Sequence, residues 1–328
     1  MTAVPSPEEV KDESAGVDRL SVVIVNWNGA GQLQRCVAAV GESTYVEIEE
    51  ILVVDNASTD GSLASIDDLD GVRVIQTGAN LGYGSGANRG IRESVAPYVA
   101  VLNTDVELER GALGRMVGFL SAELTCGIVG PRLLDASGGD PGSCGRRPAF
   151  WDAIGRKFLL HQIFPIFNFR LLRPRIPTDV GWVTGACTVA RRSALDSVGG
   201  FDEAIFMYFE DLDLSERLRQ AGWRTCFVPE AVGCHSGGGS SRQALERMLL
   251  VSEVSYRYFT RKHYGGFFAT LLATLTPIEM TLRSLLWMGI YLASGRRRSE
   301  AVVRLRAYRK AFLNDFRDAQ PPSVPEEL

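Results

Sequence analysis

Four short runs constrain this chain most: Leu20 to Val25, Ile51 to Val54, Val72 to Ile75 and Tyr98 to Leu102 are apolar and rich in β-branched residues. Each gives way to polar or glycine-containing sequence, as strands do. The runs are continuous rather than alternating, which predicts strands covered on both faces. Between them, Leu33, Val37 and Val40 share one helical face, and Leu113, Met116, Val117 and Leu120 share another. Strands alternating with helices predict an α/β fold with a mostly parallel, Rossmann-like central sheet and right-handed crossovers.

In open sheets of this kind, ligands bind beyond the carboxyl ends of the strands. The residues there are Asn26, Asp55 with Asn56, Asn80, and Asn103 with Asp105. One such residue is usually a turn former or a helix cap. Four strand ends presenting amides and carboxylates to one rim predict a binding site. A net charge of -4 argues against nucleic acid as the partner. Residues 242–310, however, hold 13 Lys/Arg against 4 Asp/Glu, a basic region that calls for an anionic partner. Cysteines at 36, 126, 144, 187, 226 and 234 form no C-x-x-C pair and no zinc spacing, so they read as reduced core thiols. The first twenty residues carry Pro5, Pro7, Glu8, Glu9, Asp12 and Glu13 and no apolar h-region, which predicts a cytoplasmic protein without signal peptide or anchor there.

The expected organisation follows. Residues 1–19 and 317–328 read as disordered tails, and 20–240 as the catalytic domain. Within that domain, 20–135 is the nucleotide half, 136–178 a flexible insert and 179–240 the acceptor half. Residues 241–316 read as basic and apolar helices. A spanning helix needs about 20 apolar residues, but Pro277, Glu279 and Arg283 split the run from Gly266 to Ser294, just before Arg296, Arg297 and Arg298. Two helices lying in the headgroup layer at the inner face of the cell membrane fit that pattern. Helices packed on the catalytic domain with a solvated arginine face are the alternative.

Locally, each chemical candidate has a structural reading beside its functional one. Asp55 can bind a base or ribose, or cap a helix. Gly82, Gly84, Gly86 and Gly90 resemble a phosphate-cradling loop, but neither G-x-G-x-x-G nor a P-loop is present, which also disfavours a nicotinamide dehydrogenase. Asn103 and Asp105 occupy alternate positions beyond a strand and can offer oxygen to a hard divalent cation. Glu210, Asp211 and Asp213 open a helix, where acids are favoured in any case; the aromatic run before them could desolvate one into a general base. His235 alone is more often structural than a ligand.

In order, V22-VIVNWNG, V53-VDNASTDGS, N80-LGYGSGANRGI, L102-NTD, W182-VTGA, G199-GFDEAIFMYFEDLDLSERLRQAGW and H235-SGGGSS resemble the family 2 glycosyltransferases, most of all bacterial rhamnosyltransferases. The resemblance spans roughly residues 20 to 240. It implies a GT-A fold and inverting displacement at the anomeric carbon, assisted by Mg²⁺ or Mn²⁺. Asp105 matches the second acid of the metal motif, with Asn103 where many relatives have the first, and His235 matches the histidine that completes the metal site. Asp211 matches the catalytic base and Glu210 its paired neighbour. Asn26 and Asp55 match the nucleotide pocket, and Asn80, Gly82 and Asn88 of the glycine-rich motif count with them as donor-binding. Trp182 to Ala186, with Gly185 inside it, matches the segment beneath donor and acceptor. The resemblance further implies dTDP-rhamnose as donor and a lipid-linked acceptor, polyprenyl-diphosphate N-acetylglucosamine, on a membrane surface, with a homo-oligomer allowed. Galactofuranosyl or other hexosyl transfer, and a catalytically silent sugar-nucleotide-binding module, stand as alternatives.

Overall fold

The computed structural model describes residues 18–67, 69–170, 172–237 and 244–319. Expectations for the two tails and for the glycine run after His235 lie mostly outside these residues, although Arg19 already opens the first strand. The chain divides into two compact units: Met1–Arg147, Leu172–Glu203 and Glu210–Gly237 form one, and Pro148–Leu171, Ala204–Phe209 and Gly238–Leu328 the other. The expected insert at 136–178 is therefore shared, its middle grouping with the C-terminal helices.

In the first unit the strands are β1 (Arg19–Asn26), β2 (Glu47–Asp55), β3 (Val72–Gln76), β4 (Tyr98–Asn103), β5 (Val106–Leu108), β6 (Cys126–Leu134), β7 (Cys144–Gly145), β8 (Thr178–Asp179), β9 (Trp182–Val183), β10 (Cys187–Arg191) and β11 (Arg224–His235). Among the described residues they build a nine-stranded sheet ordered β3-β2-β1-β4-β10-β6-β11-β5, with β8 beside β11, and a small β7-β9 pair. The four strands read from the apolar runs are parallel neighbours. Beyond them β10 enters antiparallel between β4 and β6, so the sheet is mixed.

Side-chain alternation on β1, β2 and β4 divides the core into two layers. Val22, Ile24, Ile51, Val53, Ala100 and Leu102 point to one face, where α1 (Ala30–Gly41) supplies Leu33, Val37 and Val40 and α3 (Ala112–Ala122) supplies Leu113, Met116 and Leu120. Val23, Val25, Leu52, Val54, Val99 and Val101 point to the other. There α2 (Tyr83–Glu93), α5 (Arg192–Val198) and α6 (Glu210–Gln220) add Ala87, Ile91, Leu195, Leu214 and Leu218. Each such Val, Ile or Leu contributes about 1.5–3 kcal/mol on burial. The glycine-rich stretch finds its use here. A Cβ on Gly90 would lie 2.4 Å from Val23 Cγ1, so that glycine lets α2 approach the sheet rather than cradling a phosphate. Gly82, at φ +87, makes the turn into the helix.

The second unit is helical. It contains α4 (Phe150–Lys157), α7 (Leu245–Tyr264), α8 (Gly266–Thr274), α9 (Thr276–Ala293) and α10 (Arg298–Phe312). Met248, Val251, Met280, Trp287, Ala301 and Tyr308 form its core. Among the described residues, no helix is long and apolar enough to cross a membrane.

Candidate active site

Three constellations stand at the rim of the first unit. The first joins β1 to β2. Parallel register sets Asn26 opposite Asp55, and the buried Asn26 Nδ2 reaches Asp55 Oδ1 at 2.7 Å, Ser62 Oγ at 2.9 Å and Ser58 Oγ at 3.0 Å. The Ser58 N–H donates to Asp55 Oδ2 at 3.0 Å. Asp55 thus shapes the floor of the rim, while Asn26 Oδ1 is a buried acceptor with no partner among the described residues. Asn80 accepts the Gly82 N–H at 3.0 Å, closing the turn before α2.

The second constellation unites residues far apart in sequence. Antiparallel pairing of β11 with β5 places His235 opposite Val106, which brings His235 Nε2 to 3.1 Å from Asp105 Oδ1. Backbone bonds hold the loop, with the Ser236 N–H donating to the Asp105 carbonyl at 3.1 Å. Both side chains are partly open to solvent. Among the described residues no group of three or more His, Cys, Asp or Glu is placed to hold a metal ion by itself. A carboxylate beside an imidazole suits a divalent ion that draws its remaining ligands from a diphosphate and water. Asn103, at the end of β4, has its N–H tied to the Ala186 carbonyl at 2.9 Å and a partly exposed side chain.

The third constellation converges on Gly185. Its N–H donates to Asp211 Oδ2 at 3.1 Å, and its carbonyl accepts the buried Tyr83 hydroxyl in a short bond. A Cβ at this position would lie 3.4 Å from the Asp211 Cβ, 3.5 Å from the Tyr83 ring and 3.7 Å from Glu210 Oε1. The two acids open α6, whose N-terminal dipole favours them. The residues just before, Tyr208 and Phe209, hold φ of 68° and 69°, a strained left-handed pair. Burial, then the charges of Asp211 and Asp213, push the Glu210 carboxyl up to about 8. Its Oε2 is buried without a partner among the described residues. Burial and the neighbouring acids thus favour the protonated form of Glu210. Asp213 is committed elsewhere, 2.6 Å from Arg217 one turn on. Burial, then the charges of Glu210, Cys187, Asp211 and Asp105, push the Tyr83 hydroxyl well above its ordinary value. One ring thus feels the carboxylates of both the second and the third constellation.

Not every expected residue faces this rim. Asn88 is buried and fully engaged: its Nδ2 donates to the Phe201 carbonyl and to Glu203 Oε1, both at 2.9 Å, and its Oδ1 accepts the Phe201 N–H at 2.8 Å. That amide clamps the loop at Phe201 and Glu203. Trp182 is buried on β9, where it pairs with Gly145 of β7. The sequence reading missed Tyr83 and the two serines. A large aromatic amid four glycines was the available signal.

A model of Glycosyl transferase family 2 matches residues 21–199. The chain belongs to that family. A second model, Glycosyl transferase family group 2, matches residues 165–305. This family 2 chain is 32% identical over 308 residues to the N-acetylglucosaminyl-diphospho-decaprenol L-rhamnosyltransferase of Mycobacterium tuberculosis, covering 88% of this chain and 99% of that one. The rhamnosyltransferase WbbL of Escherichia coli is 32% identical over 116 residues, 33% of this chain and 44% of its own length. Among solved structures, the mannosyltransferase PcManGT from Pyrobaculum calidifontis, in complex with GDP-Man and Mn²⁺, aligns with a TM-score of 0.57 at 17% identity, covering 93% of this chain and 89% of its own. GalNAc-T7 with UDP, GalNAc and Mn²⁺ aligns at 0.52 and 19% identity, over 75% of this chain and 50% of its own. These likenesses bear on the fold, and the family 2 glycosyltransferase described here has the GT-A arrangement its motifs imply.

Proposed function

We propose that this glycosyltransferase moves L-rhamnose from dTDP-rhamnose to the N-acetylglucosamine of a polyprenyl-diphosphate acceptor, with inversion at the anomeric carbon. The observation that carries the reaction is the convergence on Gly185, whose N–H aims Asp211 Oδ2 at 3.1 Å beside the buried Glu210. Support for sugar and acceptor comes from likeness to the mycobacterial rhamnosyltransferase along nearly its whole length.

In this reading Asp211 accepts the proton of the acceptor hydroxyl as its oxygen bonds to C1 of the sugar, while the bond from C1 to the diphosphate oxygen breaks and dTDP departs. Base catalysis of this kind contributes typically 10²- to 10⁴-fold. Glu210 stays neutral and confines the negative charge to its neighbour. Asn26, Asp55, Ser58 and Ser62 form the nucleotide floor, and Asp105 and His235 would hold Mg²⁺ or Mn²⁺. That ion, when bound, neutralises the departing diphosphate, an effect worth several kcal/mol. No second carboxylic acid is required on the leaving-group side, unlike in a glycosidase. Tyr83 acts one bond further out, fixing the peptide that aims Asp211.

The test is incubation with a polyprenyl-diphosphate N-acetylglucosamine and, in turn, dTDP-rhamnose, UDP-galactofuranose and UDP-glucose. Rhamnosylated lipid and dTDP are expected with the first donor only, and EDTA should abolish both. Product from another donor alone would replace rhamnose in this account.

A further inference from the structure

The helical unit buries charge beside its apolar core. Its most buried side chains include Lys157, Glu253 and Glu279, between 0 and 3% exposed. Lys157 Nζ lies 2.9 Å from Glu279 and 3.6 Å from Glu253, and Arg156 meets the same two carboxylates at 3.2 and 3.4 Å. Arg283 adds a further pair to Glu279 at 3.0 Å. Burial alone would raise the Glu279 carboxyl, yet Arg156, Lys157 and Arg283 hold it down at about 2. Helix α9 therefore buries Glu279 beside Met280 and Trp287 while it leaves Leu285 and Leu292 outward, 65% and 71% exposed.

Exposed apolar residues also lie on two other segments of the unit. Rings run in a chain from Trp151 through Phe150 and Phe268 to Phe267, with centroids 5.8, 4.5 and 5.4 Å apart. Trp151 and Phe267 at its ends are 69% and 78% exposed. Just beyond α4, Ile163 and Ile166 are likewise open, at 71% and 75%. Soluble proteins scatter exposed apolar residues singly, whereas a contiguous run with charge kept inside marks a surface that meets something apolar. The flanking charge names the partner's sign: Arg296, Arg297 and Arg298 follow α9 and are exposed, as are Arg261 and Lys262 at the end of α7. Aromatic and aliphatic side chains bordered by arginines complement the acyl boundary and the anionic headgroups of a bilayer.

We propose that this unit docks in the plane of an anionic membrane through a composite surface made of α4 with the turns after it and of α8 with α9, and that the buried ion cluster fastens the two stretches together. The proposal deepens the reading of a lipid-linked acceptor, because it names where the enzyme would meet the membrane carrying it.

The full-length protein is floated with vesicles of phosphatidylcholine alone and with vesicles containing phosphatidylglycerol, neither holding acceptor. Strong partitioning onto the anionic vesicles is expected, reduced at least tenfold in Trp151→Asp/Phe267→Asp. Arg296→Gln/Arg297→Gln/Arg298→Gln should lose on the order of 100-fold on anionic vesicles only, at roughly fivefold for each arginine near the surface. Unchanged melting and unchanged dTDP release with a short-chain soluble acceptor would show that both variants fold and that the active site is intact. A wild type that ignores both vesicles, or an aspartate variant that floats like the wild type, overturns the proposal. So does a concentration-dependent dimer that the aspartate variant dissolves, which would assign the face to a second copy of the chain. Failure of rhamnosyl transfer alone leaves the vesicle result standing.

Discussion

The two units of this glycosyltransferase place their polar groups differently around apolar cores. In the α/β unit, apolar residues fill both layers of the sheet, and Asn26, Asp55, Asp105 and Asp211 gather at one rim. In the helical unit Lys157, Glu253 and Glu279 lie buried beside an apolar core that includes Met248, Met280 and Trp287, while Trp151, Phe267, Leu285 and Leu292 are exposed. The contrast teaches that polar groups at the rim serve chemistry at little cost to the core, whereas those inside the helical unit serve its assembly. A single change should therefore damage turnover in one unit and stability in the other.

The largest expected stability effect tests the helical side. Glu279→Ala leaves Lys157 buried with only the more distant Glu253, and breaking such a cluster costs about 3–5 kcal/mol. Urea denaturation followed by circular dichroism measures it. In Lys157→Met/Glu279→Met most of that loss should vanish, since apolar replacement of a buried pair is often neutral. Equal loss in single and double variants would break the comparison. On the rim side, Tyr83→Phe removes one hydrogen bond to the Gly185 carbonyl. A kcat lower by roughly 2- to 10-fold with little change in donor KM is expected, matching the net value of one hydrogen bond. The acid limb of the pH profile should shift as well, because the peptide aiming at Asp211 loosens. A change in KM alone would assign Tyr83 to donor binding.

A further test concerns pH. Glu210 rises from 4.5 to about 8 on folding, so between those values the folded chain holds a proton that the unfolded chain has released. Stability must then fall as pH climbs from about 4.5 to about 8 and level off above. Glu210→Gln removes the titrating group, so its melting temperature should vary less across that window than the wild type's. Parallel curves for both proteins would mean that Glu210 is ionised in the fold.

Local patterns carried the parallel half of the sheet, because Leu20 to Val25, Ile51 to Val54 and Tyr98 to Leu102 bury both faces, whereas Val72 to Ile75 became the edge strand and leaves Val74 exposed, against the expectation of two covered faces. Asp211 and Asp105 were singled out only through motif order, and the fold brings each to the sheet rim proposed as the site. Three features were hidden for physical reasons. The antiparallel entry of β10 rests on five residues, Cys187–Arg191, too few to announce a direction. Lys157 and Glu279 lie 122 positions apart; alone, one reads as a loop residue and the other as an interruption in an apolar helix, and each makes sense only beside the other. Gly90 and Asn88 looked like ligand-binding groups because close helix packing and a loop clamp use the same residue types as a phosphate site.

The central claim is that Asp211 is the base while the rest of the rim binds donor and ion. Asp211→Asn keeps the side chain's shape and removes its basicity. With dTDP-rhamnose, Mn²⁺ and lipid-linked acceptor, turnover measured by dTDP release should drop by about 10²- to 10⁴-fold, while calorimetric donor affinity stays within a few-fold of wild type. Near-normal turnover in that variant would contradict the account.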